Sequence, residues 1–164
     1  MKTLLVYGTK YGCTEKCAQM LKEKLSGDID LINLKTSSTV DLSKYNKVII
    51  GGSIYIGQIQ KEVKAFCSQN MDLLKEKNLG LFTCCMGEGQ RAEEQLNAVF
   101  PKELLDLAVA KEFFGGEFIF KKMGFIDKLI VKKVSKITKD TTNIYEENIS
   151  RFAEVMNNVK VEHN

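Results

Sequence analysis

One histidine, His163, and one proline, Pro101, stand in 164 residues. The histidine lies one residue from the end, which argues against a histidine-dependent catalytic triad or a multi-histidine metal site. No apolar run approaches the roughly 20 residues that span a bilayer; the longest, such as Leu4–Tyr7 and Val48–Ile50, are far shorter. The chain opens with Lys2 ahead of a strand-like run, Thr3–Tyr7, without the apolar stretch and small-residue cleavage site of a secretory leader. The five cysteines, Cys13, Cys17, Cys67, Cys84 and Cys85, are odd in number and show no C-x-x-C spacing. That pattern fits reduced thiols better than a disulfide framework. Together these absences lead us to expect a soluble, cytoplasmic protein with no resident metal, in which a bound cofactor supplies the reactivity that the side chains lack.

What is present reads as one α/β domain spanning 1–164. An apolar fraction of 44% over this length allows one well-buried core. Short runs rich in β-branched residues recur at Thr3–Tyr7, Ile29–Leu34, Val48–Ile50, Leu79–Thr83 and Phe113–Phe120, and predict five strands. Segments with helical spacing lie between them: Thr14–Leu25, Lys61–Leu74, and Arg91–Leu107, the last broken or restarted at Pro101. Thr141–Val155 predicts the final helix, with Thr142 as its cap, and Val159–Asn164 a frayed tail. Strands alternating with helices imply parallel pairing and a sheet covered on both faces.

The sharpest local signal is Gly8-Thr9-Lys10-Tyr11-Gly12-Cys13-Thr14, directly after the first strand and before the first helix. Backbone N–H groups at a helix N-terminus favour an anion, and the Thr9 and Thr14 hydroxyls can add donors to phosphate oxygens. Neither G-x-G-x-x-G nor G-x-x-x-x-G-K-[ST] is present, so a dinucleotide fingerprint and a Walker loop are excluded. A plain turn and helix cap remains open for this loop taken alone.

Thr9-Lys10-Tyr11-Gly12-Cys13-Thr14 resembles the phosphate loop of flavodoxins. Gly51-Gly52-Ser53-Ile54-Tyr55-Ile56-Gly57, after the third strand, is similar to the flavodoxin loop on one side of the flavin ring. Thr83-Cys84-Cys85-Met86-Gly87, after the fourth, takes the place of the loop on the other side. The resemblance implies a three-layer open sandwich, a five-stranded parallel sheet of order 2-1-3-4-5, and FMN at the strand ends. Within the second loop Tyr55 is the candidate to stack on the flavin, with Ile54 and Ile56 excluding water and Gly57 tolerating unusual backbone angles. Cys84 and Cys85 are open to either thiol chemistry or plain packing, and Cys13 and Cys17 to redox sensitivity. A phosphorylatable receiver of the same sheet order would need carboxylates at these strand ends, where Gly8-Thr9-Lys10 and Gly51-Gly52 stand instead.

Residues 121–139 form a basic insertion between the fifth strand and the last helix. Lys121, Lys122, Lys128, Lys132, Lys133, Lys136 and Lys139 against Asp127 alone give it a formal charge of +6, leaving −3 for the rest of the chain. Met123, Ile126, Leu129, Ile130, Val134 and Ile137 share one helical face, opposite lysines recurring every four residues. That apolar face can cover the sheet, or the helix can seat the protein on an anionic membrane or draw in a carboxylate-bearing substrate. Interleaved aromatics and nucleic-acid modules are missing, which argues against a nucleic-acid partner.

The insertion, with Phe125–Lys133 following Gly115–Phe118, resembles that of flavodoxin-like, menaquinone-dependent protoporphyrinogen dehydrogenases. This resemblance runs over nearly the whole chain. It implies FMN-dependent oxidation of protoporphyrinogen IX in haem biosynthesis, with electrons passed to a membrane quinone. The alternatives are a soluble flavodoxin-type electron carrier, whose usual acidity contrasts with a pI near 8.5, and a flavin-free adaptor.

Overall fold

The computed structural model describes residues 1–37, 39–134 and 137–160. Strands β1 (Lys2–Tyr7), β2 (Asp28–Asn33), β3 (Lys47–Ser53), β4 (Asn78–Cys84) and β5 (Ala110–Phe113) form one parallel sheet in the order β2-β1-β3-β4-β5. Helices α1 (Cys13–Lys24) and α7 (Glu146–Asn158) cover one face; α2 (Lys61–Gln69), α4 (Gly89–Val99) and α5 (Lys102–Leu107) cover the other. A single turn, α3 (Met71–Leu74), extends α2.

The alternation of side chains along each strand builds two apolar layers. Leu4, Val6, Val48, Ile50, Leu79 and Leu81 meet Val63, Phe66, Leu96 and Leu104 on one face. Leu5, Ile49, Phe82 and Cys84 meet Cys17, Leu21, Phe152 and Met156 on the other. The Phe82 ring stacks on Phe114 at 4.5 Å and meets Phe152 edge-on at 6.1 Å. It occupies the space above Gly51, where a Cβ would fall 2.0 Å from the ring.

The break at Pro101 is as expected: α4 ends at Val99, and the Pro101 carbonyl accepts hydrogen bonds from the Leu104 and Leu105 amides at 3.0 Å as α5 begins. Two expectations are corrected. The run Phe113–Phe120 is not one strand. β5 closes at Phe113, Phe114 drops into the core, and Gly115 at φ +80° redirects the chain into β6 (Gly115–Phe118). β6 pairs antiparallel with β7 (Thr141–Ile144) in a separate ladder. The last helix therefore starts at Glu146 rather than Thr141, because the β-branched Thr141 and Thr142 are spent on β7. Thr142 is no helix cap; its hydroxyl donates to Glu117 Oε2 at 3.1 Å.

The β6–β7 ladder is the stem of the insertion, which carries a helix, α6 (Phe125–Val134). Its apolar face does not lie on the sheet as one stripe. Met123 and Val131 are buried, whereas Phe125, Ile126 and Leu129 are 76%, 71% and 52% exposed. Lys121, Lys122, Lys132 and Lys133 are exposed beside them. Lys136, and residues 161–164 of the expected tail, lie outside the described residues. No helix among the described residues is long and apolar enough to cross a membrane.

Candidate functional site

The three glycine-bearing loops converge at the carboxyl ends of β1, β3 and β4, where the strand order reverses direction. In the first, the Gly12 amide donates to Thr9 Oγ1 at 2.9 Å, and Gly12 at φ +95° turns the chain into α1. The Lys16 amide reaches the Gly12 carbonyl, so those of Cys13, Thr14 and Glu15 stay outside the helical ladder. No side chain caps the helix from Gly12. The Thr14 and Tyr11 hydroxyls are buried and have no hydrogen-bond partner. Free amides at a helix end beside orphaned hydroxyls suit a phosphate.

In the second loop, Gln60 accepts from the Ser53 amide at 3.0 Å and donates to Ser53 Oγ at 2.6 Å, fixing the end of β3. The Ile54 amide donates to the Cys84 carbonyl at 2.9 Å and joins this loop to the third. Tyr55 and Gln58 exchange backbone hydrogen bonds around a two-residue tip, Ile56 at φ +50° and Gly57 at φ +70°. Positive φ at both central residues is the type I′ turn, and a β-branched residue resists that conformation. Ile56 is strained and 61% exposed.

In the third loop, Cys84 and Cys85 are buried and the Cys85 amide donates to the Gly115 carbonyl at 2.9 Å. That bond anchors the stem of the insertion to the sheet. The Thr83 hydroxyl is buried without a partner on the opposite face from Cys84.

These loops line a shallow cleft that opens to solvent. Of the residues expected there, Thr9, Lys10, Tyr11 and Cys13 line it from the first loop and Ser53, Ile54 and Tyr55 from the second. Cys84, Cys85 and Met86 line it from the third. Gly12, Thr14, Ile56, Gly57, Thr83 and Gly87 lie in the same loops but off the cavity wall. Sequence reasoning missed Gly116, Glu117 and Phe118, which complete the wall from β6. Their place depended on splitting Phe113–Phe120 in two.

It also missed the work of Asp127. This carboxylate accepts from Tyr55 Oη at 2.9 Å and pairs with Lys10 at 3.2 Å, while Lys10 Nζ sits 3.6 Å over the Tyr55 ring centroid. The Tyr11 ring meets Tyr55 edge-on at 6.5 Å. A helix of the insertion is thus latched to two residues of the cavity wall. The available signal was that Asp127 is the one acid among seven lysines.

The thiols of Cys13, Cys17 and Cys84 lie within 4.8 Å of one another. Hydrogen bonds from Cys17 and then Cys84 hold Cys13 well below the ordinary thiol range, and the bond to Cys13 pushes Cys17 up. Burial raises Cys85.

A doubly wound sheet with an anion cradle at its topological switch point defines the class: an α/β domain that holds a phosphate-bearing cofactor. A sequence profile of the Flavodoxin domain family matches residues 4–144, and the chain belongs to that family. It is 32% identical over 74 residues to a flavodoxin of Trichodesmium erythraeum, a match covering 43% of each chain. It thus spans less than half the length of that curated relative. Crystal structures of oxidised flavodoxins 2 and 1 from Bacillus cereus superpose with TM-scores of 0.61 and 0.57 at 19% and 16% identity. The first superposition covers 94% of this chain and 97% of that one, the second 98% and 100%. FMN is the cofactor of the family, and the orphaned Thr14 and Tyr11 hydroxyls with the uncapped α1 terminus fit its phosphate.

Proposed function

We propose that this protein is an FMN-dependent oxidoreductase that works at an anionic membrane surface, oxidising a porphyrinogen such as protoporphyrinogen IX and passing the electrons to a quinone. The observation that carries the reading is the insertion: α6 turns Phe125, Ile126 and Leu129 outward among exposed lysines while Asp127 reaches back to the cavity. Bound FMN supplies the two-electron chemistry. The first-turn amides of α1 and the Thr14 hydroxyl hold its phosphate. Tyr55 and Tyr11 provide aromatic surface that keeps water from the ring. The lysines of the insertion attract substrate propionates and anionic lipid headgroups.

A soluble flavodoxin-type carrier is the second reading. It is favoured by the engagement of both carboxylates near the cavity: Asp127 by Lys10 and Tyr55, and Glu117 by Lys16 and Thr142. The test is the visible spectrum of the protein with added FMN, then with protoporphyrinogen IX under anaerobic conditions. Bleaching of bound flavin supports the oxidoreductase, and bound flavin that stays oxidised favours the carrier. Absence of flavin binding overturns both and leaves an adaptor domain.

A further inference from the structure

We propose that Cys13 and Cys84 are a peroxide-responsive dithiol whose disulfide weakens flavin binding. Cys13 is the first residue of α1, at a helix end with no side-chain cap, where the peptide dipoles favour a thiolate. It lines the cavity together with Cys84 and keeps 8% of its surface exposed, so a small oxidant can reach it through the pocket mouth. Its two neighbours, Cys17 and Cys84, are buried at 0% and 2% exposure, which protects them from attack and leaves them as resolving thiols. The hydrogen bonds that lower the Cys13 thiol come from the same two groups.

Geometry selects between them. Residues one helical turn apart hold their Cβ atoms about 5–6 Å apart, whereas a disulfide brings them to about 3.5–4.5 Å. A Cys13–Cys17 bond would therefore unwind the first turn of α1. All three sulfurs lie within 4.8 Å of one another, so distance does not choose; Cys84 is set apart because it comes from the end of β4, on a different element, and is free of the helical constraint on Cys17. A structural zinc is the less suitable occupant: it takes four ligands, and no fourth His, Cys, Asp or Glu joins the three among the described residues.

The chemistry balances. The Cys13 thiolate attacks one oxygen of hydrogen peroxide; an S–O bond forms, the O–O bond breaks, and hydroxide leaves to take up a proton as water. Cys84 then attacks the sulfenic sulfur; the S–S bond forms, the S–O bond breaks, and a second water departs. Two thiols are oxidised and one peroxide is reduced. Closing the sulfurs to about 2.05 Å draws the start of α1 towards β4 and displaces the amides of the phosphate loop. The loss of flavin affinity rests on the FMN reading above; the disulfide itself does not.

The test treats the reduced, flavin-free full chain with hydrogen peroxide, measures intact mass, maps non-reduced peptides, and titrates FMN before and after. The expected product is about 2 Da lighter, from the two hydrogens lost, with a Cys13–Cys84 link. It should bind FMN at least tenfold more weakly until dithiothreitol restores it. Cys17→Ala should still form the link, and Cys84→Ala should leave a dimedone-reactive sulfenic acid at Cys13. A link through Cys17, sulfinic acid at Cys13 as the main product, or no loss of mass overturns the dithiol. A Cys13–Cys84 link with unchanged FMN affinity overturns its effect on the site. Peptide mapping needs no flavin, so a failure of FMN binding and a failure of the dithiol are told apart.

Discussion

The three central strands and the insertion helix are both rich in apolar residues and treat them in opposite ways. Along β1, β3 and β4 almost every side chain is buried, and Leu4, Leu5, Ile49, Ile50, Leu79 and Leu81 show no exposed surface. Along α6, Phe125, Ile126 and Leu129 stand in solvent beside lysines, and Val131 alone of its described side chains is buried. The first set is explained by folding, since burying each such side chain contributes about 1.5–3 kcal/mol. The second contributes nothing comparable to the fold and is retained on the surface, where a basic apolar face is what an interfacial helix presents.

Substitutions can separate the two regions. The largest effect is expected from Phe82→Ala, which empties the space between Phe114, Phe152 and Gly51 and should cost about 3–5 kcal/mol. Ile126→Ala should stay within about 0.5 kcal/mol in the same urea titration; comparable losses for both would erase the contrast. Next comes the triple change of Phe125, Ile126 and Leu129 to Ser. It should lower partitioning onto phosphatidylglycerol vesicles by tenfold or more while leaving the denaturation midpoint unchanged, and equal binding before and after would remove the membrane role of α6. Ile56→Gly relieves a left-handed β-branched residue at the loop tip, and should stabilise the chain by about 1 kcal/mol, read as a raised thermal midpoint. A small shift is also expected from Asp127→Asn. It breaks the partly exposed ion pair with Lys10, which at about 0.2–1 kcal/mol should move stability little yet speed proteolysis in the insertion.

The first four strands, the break at Pro101 and the three loops were legible because each rests on a local signal: a β-branched run, a missing amide, or glycines at a strand end; the order of the strands came only from the resemblance of those loops to flavodoxins. The division of Phe113–Phe120 was not, because no polar residue interrupts it before Glu117 and the turn at Gly115 is made by pairing with Thr141–Ile144, some 25 residues on. The same long-range pairing concealed Thr142, whose composition suits a helix cap as well as a strand. In the site, residues within the loops could be named, but the latch through Asp127 and the meeting of Cys84 with Cys13 and Cys17 depend on elements far apart in sequence. Adjacent cysteines at a strand end read as packing or as thiol chemistry; only the fold brings one of them beside the first turn of α1.

The stem of the insertion ends on the pair Phe118 and Thr141, with the ladder already closed below it. Replacing 119–140 by a two-residue Asn-Gly turn would therefore give an ordinary hairpin on the same strands, with the Gly115 carbonyl still tied to the Cys85 amide. The appended helix is thus a detachable module. A family of chimaeras carrying different helices on this one stem would let surface address be exchanged while the sheet stays as it is and the cavity loses only the hold of Asp127 on Tyr55 and Lys10.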